Sequence, residues 1–310
     1  MESDALVGVV LVNYNGRRFL NNCIRALLAG SYRNIEPVVV DNHSTDDSIP
    51  ALRDEFPSVV VLQQSENLGV AAGNNVGIRF CLERGHDFVL LLNFDTLPDT
   101  DLVAELVRVA SSGTIVSGST YFWDECTRSN SHAGSFNWFL GRLREKFFGR
   151  VDSEVGQEIR QVEIADTCCL LVPRSAFANV GLMDEAYFLY YDDTDFVVRA
   201  RAAGYTCLFN PAAKLRHYER GASGPVHLSP ISVYYTTRNR PYFMKHHAPS
   251  RVHYLLFLCY FSLTRLISVL RWIVLGRWPL VYWTMRGLDD FVRGRMGRRD
   301  VLARPSPASA

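Results

Sequence analysis

Short apolar runs alternate with amphipathic stretches through the first third of the chain. Val7–Val12 is an apolar run that ends in Asn13-Tyr14-Asn15-Gly16, and it reads as a buried strand leading into a loop. Arg18–Leu28 carries Leu20, Cys23, Ile24 and Leu27 on one helical face. Glu36–Val40 is a second strand ending at Asp41, Ser48–Phe56 a short helix, and Val59–Gln63 a third strand. Gly73–Arg84 has Val76 and Phe80 at helical spacing, and its length favours helix over strand. Phe88–Leu92 is fully apolar and stops at Asn93-Phe94-Asp95.

Strands and helices alternating at this spacing predict right-handed crossovers and an α/β fold with a mostly parallel sheet covered on both faces. Such sheets bind ligands beyond the carboxyl ends of their strands. The polar clusters fall there: Asn13-Tyr14-Asn15, Asp41-Asn42-His43-Ser44, Asn67-Leu68-Gly69 and Asn93-Phe94-Asp95. After about residue 115 the alternation fades, and Ser117–Arg160 reads as a mobile active-site flap. The pattern resumes with a strand over Thr167–Val172, a helix after Ser175, and the acidic run Asp192-Asp193-Thr194-Asp195 ahead of a helix closed by Gly204. From Arg251 the chain turns apolar and basic, and Arg304–Ala310 reads as a disordered tail.

Composition narrows the partners. With a formal net charge of +1, no global field draws the chain to nucleic acid. The 7 cysteines are odd in number and include no CxxC pair, which fits a reducing compartment better than a disulfide framework or a zinc site. The opening MESDALVGVV has no basic segment before its apolar run, so it does not read as a signal peptide, and the N-terminal part is expected in the cytoplasm.

Four segments carry candidate chemistry. Asp95, at the end of the most apolar strand, needs a cation or a donor. A magnesium or manganese ion bridging a diphosphate would meet that need, and a plain loop or capping aspartate is the alternative. Asp192, Asp193 and Asp195 suit a helix first turn, and Asp195 can pair with Arg199. Three carboxylates in four positions also raise at least one pKa, as a general base requires. His217 alone says little. Arg238 and Arg240, in Tyr234-Tyr235-Thr236-Thr237-Arg238-Asn239-Arg240, could clamp a diphosphate or form a solvated or membrane-facing basic stretch.

The ordered series V-V-L-V-N-Y-N-G, V-V-D-N-H-S-T-D-D-S, E-N-L-G-V-A-A-G-N-N, L-L-L-N-F-D-T, G-L-M-D-E with Y-Y-D-D-T-D, then His217 and R-N-R, resembles family 2 glycosyltransferases of the GT-A fold. The similarity covers about residues 6 to 247 and leans to the bacterial rhamnosyl- and galactofuranosyltransferases. It implies an inverting, metal-dependent transfer of a sugar from a nucleotide-diphosphate donor, dTDP-rhamnose before UDP-sugars, to a glycan or lipid-linked hydroxyl. Tyr14, Asn15 and Asp41 would contact nucleobase and ribose, and Asn67 and Gly69 would lie along the nucleotide. Asn93-Phe94-Asp95 matches the metal motif D-x-D with Asn in its first place. Asp95 is left as the acidic ligand of Mg2+ or Mn2+, with His217 as its partner. Asp193 matches the catalytic base, with Asp192 and Asp195 positioning base or acceptor. The processive motif Q-x-x-R-W is broken at Ser268-Val269-Leu270-Arg271-Trp272, which points to single additions.

The expected organisation is a catalytic domain over 1–248, with a nucleotide half 1–115 and an acceptor half 116–248. A membrane-associated helical region follows over 249–303, with the tail at 304–310. Tyr254–Leu275 is long enough to span a bilayer, but Arg265 and Arg271 lie inside it, and each costs ~2.5–3.5 kcal/mol near the centre. Thr264, Arg265, Ser268 and Arg271 share an arc of about 120°. A helix lying on the inner face of the plasma membrane is therefore favoured over one that spans it or packs on a second copy. Competing functions are a nucleotidyltransferase, which lacks its glycine-rich phosphate loop here, and a silent sugar-nucleotide binder.

Overall fold

The computed structural model describes residues 4–125, 127–218 and 229–299. The expected tail 304–310 lies outside them. The chain divides into two compact units. The first holds Met1–Phe136, Leu143–Asp184 and Asp192–Ala222; the second holds Asn137–Arg142, Glu185–Tyr191 and Ser223–Ala310.

The predicted alternation is present as β1 (Val7–Asn13), α1 (Leu20–Leu28), β2 (Ile35–Asp41), α2 (Ser48–Glu55), β3 (Val60–Gln63), α3 (Gly69–Glu83) and β4 (Phe88–Leu92). Then come β5 (Thr96–Pro98), α4 (Leu102–Val109), β6 (Thr114–Phe122), the hairpin β7 (Gly134–Asn137) and β8 (Arg142–Glu145), and α5 (Asp152–Val155). The rest is β9 (Arg160–Gln161), β10 (Cys169–Pro173), α6 (Arg174–Val180), α7 (Asp192–Ala202) and β11 (Thr206–His217). The central sheet runs β3-β2-β1-β4-β10-β6-β11-β5, with β9 also on β11.

The mostly parallel sheet is present: it is parallel from β3 to β4 and between β6 and β11, with β10 antiparallel to both β4 and β6. A parallel entry needs a long crossover, usually a helix. Between β6 and β10 the chain offers only short strands and the one-turn α5. One expectation is corrected: Ser117–Arg160 is not a flap throughout, because Ser117–Phe122 forms two-thirds of β6, an interior strand, and β7–β8 form a hairpin.

Side-chain alternation splits the core into two layers. Val7, Val9 and Leu11 of β1 meet Leu20, Ile24, Leu52 and Leu106 of α1, α2 and α4. Val10 faces the other way, with Ile78, Phe177 and Phe196 of α3, α6 and α7. Helix α3 comes close to β1 because two of its positions lack a Cβ. A Cβ on Gly73 would lie 2.7 Å from Val12 Cγ1, and one on Gly77 would lie 2.4 Å from Val10 Cγ1.

The second unit contains α8 (Pro230–His247), α9 (Arg251–Val274) and α10 (Trp278–Val292). Ser229 and Ser250 cap α8 and α9 by accepting from the backbone N–H three residues on. The Tyr234 hydroxyl donates to the buried Asp290 carboxylate at 2.7 Å, joining α8 to α10. Helix α8 is grouped with α9 and α10 in this second unit.

Candidate active site

The ends of β1 and β2 form a cross-bonded rim. Asn13 Nδ2 donates to Ser44 Oγ and Ser48 Oγ, both at 3.0 Å, and to Asp41 Oδ1 at 3.4 Å. Asn15 takes φ 55°, accepts from Thr45 N at 2.8 Å and donates from its backbone N–H to Ser44 Oγ. Asp41 is buried and also accepts from Ser44 N. The Tyr14 ring stays 37% exposed, open to stack on a planar ligand. Asn67 Oδ1 accepts from Gly69 N at 2.9 Å and shapes the start of α3. Phe94 packs into the core layer of α1, and its ring closes on Gly16, so its contribution is packing.

Strand pairing across 120 residues of sequence builds the next part. β5 and β11 pair antiparallel with Thr96 opposite His217, which sets Asp95 beside the imidazole. His217 Nε2 lies 3.3 Å from Asp95 Oδ1 and 3.4 Å from Asn93 Nδ2. Burial alone would lower the His217 pKa, but the hydrogen bond and charge of Asp95, with the charge of Asp166, leave it raised. Just past the end of β11, Tyr218 packs on Phe19 at 4.4 Å and accepts from Arg18 at 3.1 Å.

The acidic run is the first turn of α7. Asp193 is half-buried, and its Oδ1 accepts from Thr194 N at 2.6 Å and from Thr194 Oγ1 at 3.1 Å. Burial and then the Asp166 charge raise its pKa; the Thr194 bonds and His132 oppose them. Asp192 is buried, and burial and then the charge of Asp193 raise its pKa too. Asp195 ion-pairs with Arg199 at 2.7 Å, and Arg199 holds the carbonyls of Val180 and Leu182. That is the structural pairing open to Asp195 at i,i+4.

Asp166 and His132 act on both Asp193 and His217, so these groups share one neighbourhood. Sequence reasoning missed both. The signal for Asp166 was its place just ahead of β10, which only the antiparallel direction of that strand brings to this edge. His132 had no signal of its own. The two arginines read as a diphosphate clamp are turned inward. Arg238 is fully buried, and its N–H groups go to Asn239 Oδ1, the Tyr234 hydroxyl and the carbonyls of Gly297, Ala186 and Tyr187. Arg240 is buried as well, with donors on the carbonyls of Leu140 and Gly141.

Residues 8–181 match the family described as "Glycosyl transferase family 2". The chain is 28% identical over 244 residues to an N-acetylglucosaminyl-diphospho-decaprenol L-rhamnosyltransferase of Mycobacterium tuberculosis, covering 70% of this chain and 77% of that one. It is 27% identical over 249 residues to the dTDP-rhamnosyl transferase RfbF of Shigella flexneri, covering 77% and 80%. In fold it is similar to GalNAc-T7, solved with UDP, GalNAc and Mn2+, at a TM-score of 0.59 and 14% identity. That match covers 77% of this chain and 48% of the other, so this chain spans about half of GalNAc-T7. The sequence match over residues 8–181 and the sheet that it covers lead to one conclusion: the chain belongs to glycosyltransferase family 2 and is a glycosyltransferase, with rhamnosyltransferases among its relatives.

Proposed function

We propose that this enzyme transfers one sugar per encounter, with inversion, from a nucleotide-diphosphate donor to a hydroxyl of a glycan or lipid-linked acceptor. The observation that carries this reading is the gathering of Asp95, His217 and Asp193 around Asp166 and His132. Tyr14, Asn15 and Asp41 would edge the nucleobase site, with Asn67 and Gly69 beside them. The rhamnosyltransferases among its relatives make dTDP-rhamnose the first donor to try, then UDP-sugars.

Asp95 and His217 fit a divalent ion, Mg2+ or Mn2+. An acidic oxygen and an imidazole nitrogen face each other, and such ions take few protein ligands plus phosphate oxygens. Among the described residues no three His, Cys, Asp or Glu side chains form a closed cage, so donor oxygens would complete the set. When bound, the ion supplies positive charge against the leaving diphosphate. Asp193 takes the proton of the acceptor hydroxyl as that oxygen bonds the anomeric carbon. The bond from that carbon to the diphosphate oxygen breaks on the opposite face, which inverts the centre. General-base assistance contributes roughly 10²–10⁴-fold.

A melting screen of nucleotide sugars with and without Mn2+ tests donor and ion together. One nucleotide sugar should raise the melting point, more so with Mn2+, and Asp95→Ala should lose the Mn2+-dependent part. Equal shifts with and without EDTA would refute the metal assignment. Asp193→Asn should keep donor binding and lose transfer.

Helix α9 supports a peripheral place on the inner face of the plasma membrane. It is long and apolar enough to cross a membrane, yet in this fold its exposed side is the apolar one: Val252, Leu255, Leu256, Leu263, Leu266, Ile267 and Leu270 are all exposed. A water-facing helix carries polar residues on that side. Charge points the same way. Residues 229–299 hold 12 Lys and Arg, of which Arg238 and Arg240 are buried, against 2 acids, while the other 239 residues hold 21 against 30. A cationic, apolar surface fits anionic lipid.

A further inference from the structure

The segment just ahead of the acidic run is strained. Phe188, Tyr190 and Tyr191 have φ of 64°, 65° and 71°. Bulky residues rarely adopt this left-handed region, and they keep it only where surrounding contacts enforce it. The enforcing contacts come from α8. Asn239 Nδ2 faces three carbonyls, of Tyr187 at 3.0 Å, Leu189 at 2.8 Å and Tyr190 at 3.0 Å. Arg238 Nη2 donates to Tyr187 O at 2.9 Å and Ala186 O at 3.3 Å. Arg238 Nε also donates to Asn239 Oδ1 at 2.9 Å, which fixes the way round of the Asn239 amide and turns its N–H groups to the carbonyls. Both side chains are fully buried. The segment is pinned further by Gly297 N on Ala186 O, by the Tyr191 hydroxyl on Gly141 O and by Phe188 stacked on Tyr235.

We propose that Arg238 and Asn239 are positioning residues for sugar transfer, holding 186–191 in the strained form that fixes where the Asp192-Asp193 turn begins. The link is covalent, since Tyr191 is peptide-bonded to Asp192. The proposal rests on Asp193 as the base. It explains why the R-N-R string is buried instead of open to a diphosphate. Held this way, the backbone that leads by a peptide bond into the first turn of α7 keeps one form up to Tyr191. Small misplacement of a catalytic group is expensive: about 1 Å can lower a rate on the order of 10²-fold.

The test uses the full chain and the nucleotide sugar selected by the melting screen. Asn239→Asp keeps shape but sets acceptors against three carbonyls, and Asn239→Ser is neutral and too short to reach them. Turnover is counted per site that binds the matching nucleoside diphosphate, so misfolded chains do not enter. Both variants should lose kcat by on the order of 10–10²-fold while donor KM stays within about twofold. Unchanged kcat in both overturns the proposal. So does loss of nucleotide binding in step with kcat, which would make the clasp a general element of the fold. Asp193→Asn runs alongside. If it turns over normally, the base assignment fails and the clasp with it. If it is inactive while the Asn239 variants are normal, the clasp alone fails.

Discussion

At the scale of single residues, the site works by unequal treatment of similar groups. Asp195 is neutralised by Arg199, Asp192 is sealed, and Asp193 is half-buried with its pKa raised by burial and by Asp166. The sign of the pH effect follows. As the proposed base, Asp193 must be ionised, so kcat/KM should fall as pH drops through its raised pKa, above the ordinary aspartate value of about 3.9. Asp166→Asn removes a charge that raises this pKa, so the acid limb should move to lower pH. A pH–rate profile checks both, and a limb that ignores Asp166→Asn would remove Asp166 from the site. Asp95 and Asp193 were readable in the sequence as candidates, and His217 only through the family resemblance. The fate of Arg238 was not, because an arginine in a polar string reads alike whether its donors face a phosphate or buried carbonyls.

At the scale of elements, close approach matters as much as hydrophobic pattern. α3 begins at Gly69, four residues ahead of the predicted start, and lies against β1 through Gly73 and Gly77. Alanine is the better helix former by about 1 kcal/mol. Gly77→Ala should still destabilise, by roughly 1–3 kcal/mol, because its Cβ would sit 2.4 Å from Val10 Cγ1. Urea midpoints measure this, and the cost should shrink in a Val10→Ala background, since the two positions touch. If Gly77→Ala stabilises the protein in the parent chain, the contact is looser than its geometry. The direction of β10 is the other lesson at this scale. Apolar composition announced a strand at Thr167–Val172, but an apolar run reads the same in either direction. Antiparallel β10 starts where parallel β4 ends, with Cys169 opposite Leu92, and so delivers Asp166 to the ligand edge.

At the scale of the whole molecule, charge is sorted along the chain although it nearly cancels in total. The protein should co-sediment with vesicles containing phosphatidylglycerol and much less with pure phosphatidylcholine. Replacing exposed Arg271 and Arg277 by Gln should weaken binding by about 2 kcal/mol at low salt, roughly 30-fold, at about 1 kcal/mol for each charge near the surface. High salt should imitate that loss. A chain that resists carbonate extraction from cell membranes would instead have α9 spanning the bilayer.

The sequence by itself determined the α/β alternation, the polar clusters at strand ends and the family, because periodicity and short motifs are local properties of the chain. It also marked α9 as apolar and basic. Tertiary structure decided the direction of β10, the register that faces Asp95 with His217, and the burial of Arg238 under a strained aromatic segment. These depend on which distant residues share a neighbourhood. Strand pairing and packing set that through contacts between segments about fifty to over a hundred residues apart, and a linear pattern carries no signal of it.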